Sequence, residues 1–335
     1  MAIDTLTESV AEPVAESVAD SVLDCVGNTP AVALNRLFPE TDVEVIAKLE
    51  LMSPGGSMKD RSARYIVERG LQQGTIRRGS HLVESSSGNF GIAVAIAARV
   101  HGLRFTCVLD PKAASANVAI LRQLGAEVDI VDEPDETGGY LHTRIRRVQE
   151  IVDSSPGAVW LNQYANECNW QAHYHGTGAE LSRQLVVPPS YLFAAVSTTG
   201  SLLGCSRRLR ESFPDMRTVA VDAVGSVIFG GAPGRRDVPG LGASRVPELL
   251  SPDEIDDVVH VDDLDAAEGC RDLLATEGIF AGGSTGAVVA AIRRSLPELP
   301  RPCRVVAVFP DRGDRYLDLV YDDEWLAATR QRCAR

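Results

Sequence analysis

Three times along this chain a short apolar, β-rich run ends in a cluster of glycine and hydroxyl residues and passes straight into a helical pattern, and a fourth such cluster stands before another apolar helix. The four turns are residues 53–61 (SPGGSMKDR), 84–91 (ESSSGNFG), 196–204 (VSTTGSLLG) and 280–286 (FAGGSTG). A strand that feeds a helix is the repeating unit of a parallel sheet with helices on its faces. Strand candidates at 43–50, 81–86, 105–110, 127–132, 159–164, 191–197, 219–223 and 304–310 alternate with helical patterns at 89–101, 116–124, 140–152, 171–185, 201–212 and 286–295. The expected class is therefore α/β. At 335 residues the chain has the length of about two domains. Ligands of such sheets sit at the carboxyl ends of strands, beside helix N-termini, so these turns carry the functional information.

In the first turn, Pro54, Gly55 and Gly56 bring backbone close to any ligand, and Lys59 stands at the start of the next helix. A helix N-terminus disfavours a cation. That field and Arg61 favour a neutral amine, which a lysine that condenses with a carbonyl must supply; the plain alternative is a surface lysine after a glycine turn. The second turn ends a β-run in three serines and a glycine. Its exposed N–H groups suit a carboxylate or phosphate, with Asn89 as an added donor; an ordinary serine N-cap is the alternative. The third lacks the lysine of a Walker A loop and the spacing of a dinucleotide fingerprint, yet a phosphate resting on the amides of residues 198–201 needs no lysine. In the fourth, Ser284 either caps the helix or meets a ligand atom. Together, one pre-helical lysine and three anion-cradling turns fit a single ligand, pyridoxal 5'-phosphate. The lysine takes its aldehyde, and the turns take its phosphate, its pyridine nitrogen and the carboxylate of an amino acid.

Charge narrows the partners. With 33 basic and 46 acidic residues the chain carries a net charge of −13, which repels nucleic-acid phosphates and anionic lipid. Aromatic residues make up only 5%, too few for a base-stacking surface. No apolar run approaches the ~20 residues of a membrane span, and the acidic N-terminus has no signal-peptide pattern. The expected partners are small molecules and the expected compartment is the cytoplasm. Seven cysteines without a CxxC pair read as reduced, mostly buried thiols. Residues 1–20 read as an acidic mobile extension, with valines 10, 14, 18 and 22 spaced for a short helix.

The segments GNTPAVALNR, AKLELMSPGGSMKDR, ESSSGNFGIA, NQYANECNWQAHYHGTGAEL, AGGSTGAV and PDRGDRYLDL, in that order from about residue 26 to 325, resemble the cysteine synthase and cystathionine β-synthase family. These are fold-type II pyridoxal-phosphate enzymes. The resemblance implies two open, twisted, mostly parallel sheets with helices on both faces and the cofactor in the cleft between domains. Residues 21–55 and 165–335 would form the larger domain and 56–164 a smaller, mobile one. It also implies a homodimer. Lys59 would carry the cofactor, Asn89 would bond its ring hydroxyl, Ser197, Thr198, Thr199, Gly200 and Ser201 would hold its phosphate, and Ser284 would face the pyridine nitrogen. Ser86, Ser87, Asn89 and Gln163 would hold the substrate carboxylate. A neutral serine at the pyridine nitrogen suits β-elimination and β-replacement better than transamination.

Three positions depart from the cysteine synthases. The phosphate turn has fewer glycines, Phe90 replaces a usual threonine, and Arg144 stands where a small or apolar residue is usual. A fixed guanidinium suits a departing phosphate dianion; a solvated helix arginine is the alternative. These departures resemble a narrower group, the 2,3-diaminopropionate pathway enzymes that make N-(2-amino-2-carboxyethyl)-L-glutamate. That resemblance implies O-phospho-L-serine as donor and the amine of L-glutamate as nucleophile. Arg144, Tyr164 and Ser197 would then surround the phosphoserine, and Arg245 would pair with a glutamate carboxylate. Lys59 would remove the Cα proton and return it. Whether the product feeds a siderophore or a peptide antibiotic stays open. A cysteine synthase using O-acetylserine and sulfide, a nicotinamide oxidoreductase and a non-catalytic relative of the same fold are the competing readings. The pair His173 and His175 points to different sides of a helix, so no metal site is expected. The tripeptide 312–314 reads as a turn and helix start near the cofactor, and the acidic stretches at 253–257 and 262–265 as solvated faces or helix N-terminal charges.

Overall fold

The computed structural model describes residues 18–134 and 139–333. The expected N-terminal extension therefore lies, except for residues 18–20, outside the described residues, as does Gly138 ahead of Arg144.

Two sheets organise the molecule. The larger has six strands: β1 (Ala31–Ala33), β2 (Val43–Leu49), β7 (Tyr191–Ala195), β8 (Arg217–Ala223), β9 (Asp257–Val261) and β10 (Cys303–Phe309), in the order β1-β2-β10-β7-β8-β9. Only β1 runs antiparallel to its neighbour. The smaller sheet is wholly parallel and contains β3 (His81–Ser85), β4 (Arg104–Leu109), β5 (Glu127–Ile130) and β6 (Ala158–Trp160), ordered β5-β4-β3-β6. Helices cover both faces, so central strands have no polar side. β10 reads CRVVAVF and buries all but Arg304, the continuous apolar run of a parallel strand covered twice. Val305, Ala307 and Phe309 of β10 and Phe193 of β7 belong to one core.

A second core forms where α1 (Lys59–Gln73) and α2 (Asn89–His101) meet the smaller sheet; it includes Ile66, Val67, Ile92 and Val94. α2 is apolar nearly all round and correspondingly buried. The left-handed Gly102 ends it, with its N–H on Ala98 O and Arg99 O.

Each of the eight expected strands exists, within one to four residues at its ends. β1 and β9 are additions. β9 lies between the two stretches read as acidic surface and shares Asp257 with the first; at the sheet's margin Asp257 and His260 are exposed while Val261 is buried. The helix expected over 171–185 is three pieces: α5 (Cys168–His173), a π-turn at Tyr174–Gly178 and α6 (Ala179–Gln184). Gly176 lies in the π-turn against Arg61, where a Cβ would stand 2.9 Å from Arg61 Nη1. Asp262 caps α8 (Asp263–Glu277) by accepting from Asp265 N–H. The other helices are α3 (Ser115–Gln123), α4 (Leu141–Ser154), α7 (Gly200–Arg210), α9 (Gly283–Ser295) and α10 (Asp323–Cys333). No helix among the described residues is long and apolar enough to cross a membrane.

Candidate active site

All four hydroxyl-rich or glycine-rich turns contribute to one cavity of about 330 Å³ at the carboxyl ends of β3 and β7. Lys59 heads α1 and opens into it. The surrounding protein desolvates the amine and lowers its pKa to about 8, against an opposing pull from Asp311. The turn before Lys59 is fixed to the larger sheet: Ser57 bridges Asp311, and Met58 N–H donates to Pro310 O at 2.8 Å.

Behind α1 lies a buried charge cluster. Arg61 donates from Nε to Glu50 at 2.5 Å and from Nη1 to Glu180 at 2.7 Å, and Lys48 Nζ donates to Glu180 at 2.7 Å. Burial pushes the Glu180 carboxyl up, but Arg61 and Lys48 outweigh it and hold the pKa at about 2. Two cations and two carboxylates balance there, two residues from the Lys59 amine.

The serine turn between β3 and α2 places Ser86, Ser87 and Asn89 on the cavity. Ser86 Oγ accepts from Gly91 N–H at 3.0 Å, and Gly91 must lack a side chain, because a Cβ would stand 2.7 Å from Ser86 O. Asn89 Nδ2 donates to Asp311 Oδ2 at 2.7 Å, and Arg315 donates to the Asn89 carboxamide oxygen.

The turn between β7 and α7 contributes Ser197, Thr198 and Ser201 to the lining; Thr199 and Gly200 lie outside it. Thr199 sits at φ +63°, a left-handed conformation that strains a β-branched residue. Gly200 is required by Asn169, whose carboxamide a Cβ would approach to 2.9 Å. Asn169 Nδ2 in turn joins Gln163 O at 2.7 Å to Thr198 Oγ1 at 3.0 Å. On the fourth turn Ser284 is buried and faces the cavity from the start of α9. Arg144, Gln163, Tyr164 and Arg245 also line it. Arg144 lies 3.3 Å from Asp110, with its Nε lacking a hydrogen bond. Arg245 lies 5.0 Å from the Tyr164 ring centroid and pairs with Glu248.

Three lining residues were given no role by the sequence reading, although Glu84 and Asp311 lie inside motifs it singled out. Glu84, only 2% exposed, has its pKa raised to about 7 by burial, against N–H donors from Ser85 and Gln163. Asp311, also buried, has its carboxyl pushed up by burial despite hydrogen bonds from Tyr316 and Asn89. Arg236 comes from the irregular segment between β8 and β9. The acid of the 312–314 tripeptide proves less informative than its neighbour: residues 313–315 form the expected short helical turn, which presents Arg315 to Asn89.

The residues present fit a phosphorylated aromatic aldehyde. An amine of lowered pKa faces the cavity, and a helix start rich in hydroxyls offers N–H donors for a dianion. Among the described residues no cluster of His, Cys, Asp and Glu is placed to hold a metal.

A lysine heading a helix in the cleft between two such sheets is the arrangement of the fold-type II pyridoxal-phosphate enzymes, and this protein is one of that class. Residues 22–311 match the family described as pyridoxal-phosphate dependent enzyme, and the chain belongs to it. It is 59% identical over 303 residues to N-(2-amino-2-carboxyethyl)-L-glutamate synthase of Ralstonia nicotianae, covering 90% of each chain. The O-acetylserine dependent cystathionine β-synthase of Helicobacter pylori superposes with a TM-score of 0.83 at 30% identity, over 90% of this chain and 98% of that one. O-ureido-L-serine synthase superposes at 0.84 and 30% identity, over 93% and 100%.

Proposed function

We propose that the enzyme joins the β-carbon of O-phospho-L-serine to the amine of L-glutamate, giving N-(2-amino-2-carboxyethyl)-L-glutamate and phosphate for 2,3-diaminopropionate biosynthesis. The observation that carries this reading is the 59% identity, over nine-tenths of both chains, to a relative of that name. Three arginines in a cavity of a strongly acidic protein support it, because both substrates are polyanions.

When bound, pyridoxal phosphate acidifies the α-carbon of an amino acid attached to it. Lys59, with a pKa near 8, is neutral often enough near neutral pH to take the Cα proton and later to return it. Ser86, Ser87, Asn89 and Gln163 hold the donor carboxylate, and the turn at Ser197, Thr198, Thr199, Gly200 and Ser201 holds the cofactor phosphate. Ser284 offers the pyridine nitrogen a neutral hydroxyl. Arg144, Tyr164 and Ser197 receive the phosphate that leaves the β-carbon, and the glutamate amine then adds there. Residues 56–164 form a smaller body that closes over the site and excludes water. The enzyme works as a cytoplasmic homodimer.

Mass spectrometry of the product from phosphoserine and glutamate tests the reading. The expected product carries both amino-acid skeletons. Product only from O-acetylserine and sulfide would assign a cysteine synthase instead.

A further inference from the structure

Arg144, Arg236 and Arg245 all face the cavity. Arg144 has Asp110 beside it and Arg245 has Glu248. Arg236 makes no ion pair among the described residues. Its Nη1 donates to Leu241 O at 3.2 Å and its Nη2 to Ser244 Oγ at 2.6 Å, both neutral acceptors on its own segment. Its Nε–H is buried without any hydrogen-bond partner. The neighbouring acids do not pair with it: Asp237 pairs with Arg235 and Arg332, Asp263 accepts from the N–H groups of Asp237 and Val238, and buried Asp222, which feels the Arg236 charge, makes no ion pair with it. The two neutral bonds fix the guanidinium plane without cancelling its charge. The side chain is only partly buried, and where it meets the cavity no carboxylate is paired with it, so an anion that enters the cavity is its fitting partner.

The anions of the proposed reaction can be assigned in turn. The cofactor phosphate and the donor carboxylate go to turns built of neutral hydroxyl and N–H groups. The donor phosphate and the two carboxylates of the nucleophile remain, and three arginines face the cavity. Every α-amino acid carries an α-carboxylate, so selection of glutamate rests on the second one.

We infer that Arg236 is a specificity residue for the amine nucleophile and receives its side-chain carboxylate. This rests on the phosphoserine and glutamate reading above. A guanidinium fixed in plane by one hydrogen bond from each terminal nitrogen keeps a second N–H on each for a carboxylate.

Steady-state kcat/KM is measured with L-glutamate and with L-glutamine for the loaded wild type, Arg236→Gln and Arg236→Lys. The absorbance change on adding phosphoserine alone, which does not involve the nucleophile, reports that each variant is folded and loaded. The wild type is expected to prefer glutamate. Arg236→Gln is expected to lose about 10–100-fold with glutamate, the loss that goes with one charge-assisted hydrogen bond, and little with glutamine. Arg236→Lys keeps charge without the fork and is expected to lose roughly 10-fold in the glutamate to glutamine ratio; it decides the matter if the Gln variant fails to load. An unchanged ratio, with both nucleophiles weakened alike, overturns the assignment and leaves Arg236 as loop support. A wild type that releases phosphate from phosphoserine but joins nothing to glutamate overturns the substrate reading itself.

Discussion

Asn89 Nδ2 donates to Asp311 Oδ2 across the cleft at 2.7 Å. The bond joins the first residue of α2, on the smaller sheet, to the segment leaving β10, in the larger one. Tyr316 OH donates to the same carboxylate oxygen at 2.6 Å. The carboxylate therefore orients a carboxamide on the substrate turn while its field supports a proton on Lys59.

Cofactor uptake by apoprotein reads the Lys59 amine directly, because only the neutral amine attacks an aldehyde. The rate of pyridoxal phosphate incorporation should rise with pH and reach half its maximum near pH 8, far below the value of an ordinary lysine. In Asp311→Asn the midpoint should move lower still, since an opposing negative charge is gone. Stopped-flow absorbance across pH 6–10 measures both; a midpoint that stays put in the variant contradicts the coupling.

Lys59→Ala should lower turnover by about 10²–10⁴-fold, the range of a lost general base. Borohydride should leave a reduced pyridoxyl group on the Lys59 peptide of the wild type and none in the variant. Peptide mass mapping distinguishes the outcomes.

Glu84 makes stability depend on pH in an unusual direction. Its folded pKa, about 7, lies above its ordinary value of 4.5, so between those values the folded state binds more protons than the unfolded state. Stability from this group is lost as pH rises through that window. Glu84→Gln removes the penalty and should be more stable than wild type above pH 7, by on the order of 1–3 kcal/mol. The two should converge towards pH 4.5. Denaturant titrations at several pH values test this, and an advantage for the variant that grows as pH falls contradicts it.

Glu180 behaves oppositely. With its pKa held at about 2, its stabilisation is complete above 4.5 and is lost as pH falls towards 2. Glu180→Ala leaves buried Lys48 without a carboxylate and Arg61 with Glu50 alone, and should cost about 3–5 kcal/mol near neutral pH. A lowered urea midpoint is the readout.

The sequence reading recovered what is local. The helix expected at 89–101 is α2, residue for residue, because a glycine precedes it, Gly102 ends it and its body is apolar. The reading also placed Lys59, Asn89 and Ser284 on turns that the fold brings to one cavity. What it missed depends on contacts distant in sequence. Glu84 looks like any strand-end carboxylate until Trp160 and Gln163 close over it. Asp311 gains meaning only from Asn89, and Arg236 only from a segment without regular structure. The need for glycine at 176, within the π-turn, comes from Arg61, which arrives from another helix.

Gly286 sets how closely α8 and α9 approach. A single methyl there would stand 1.9 Å from Ala266 O, and Ser284 lies two positions earlier on the same helix. Drift at position 286 would be felt first as a misplaced hydroxyl and only afterwards as a looser core. A residue that touches no ligand thus acts as a gauge block for the catalytic chamber, and its tolerance is one hydrogen atom.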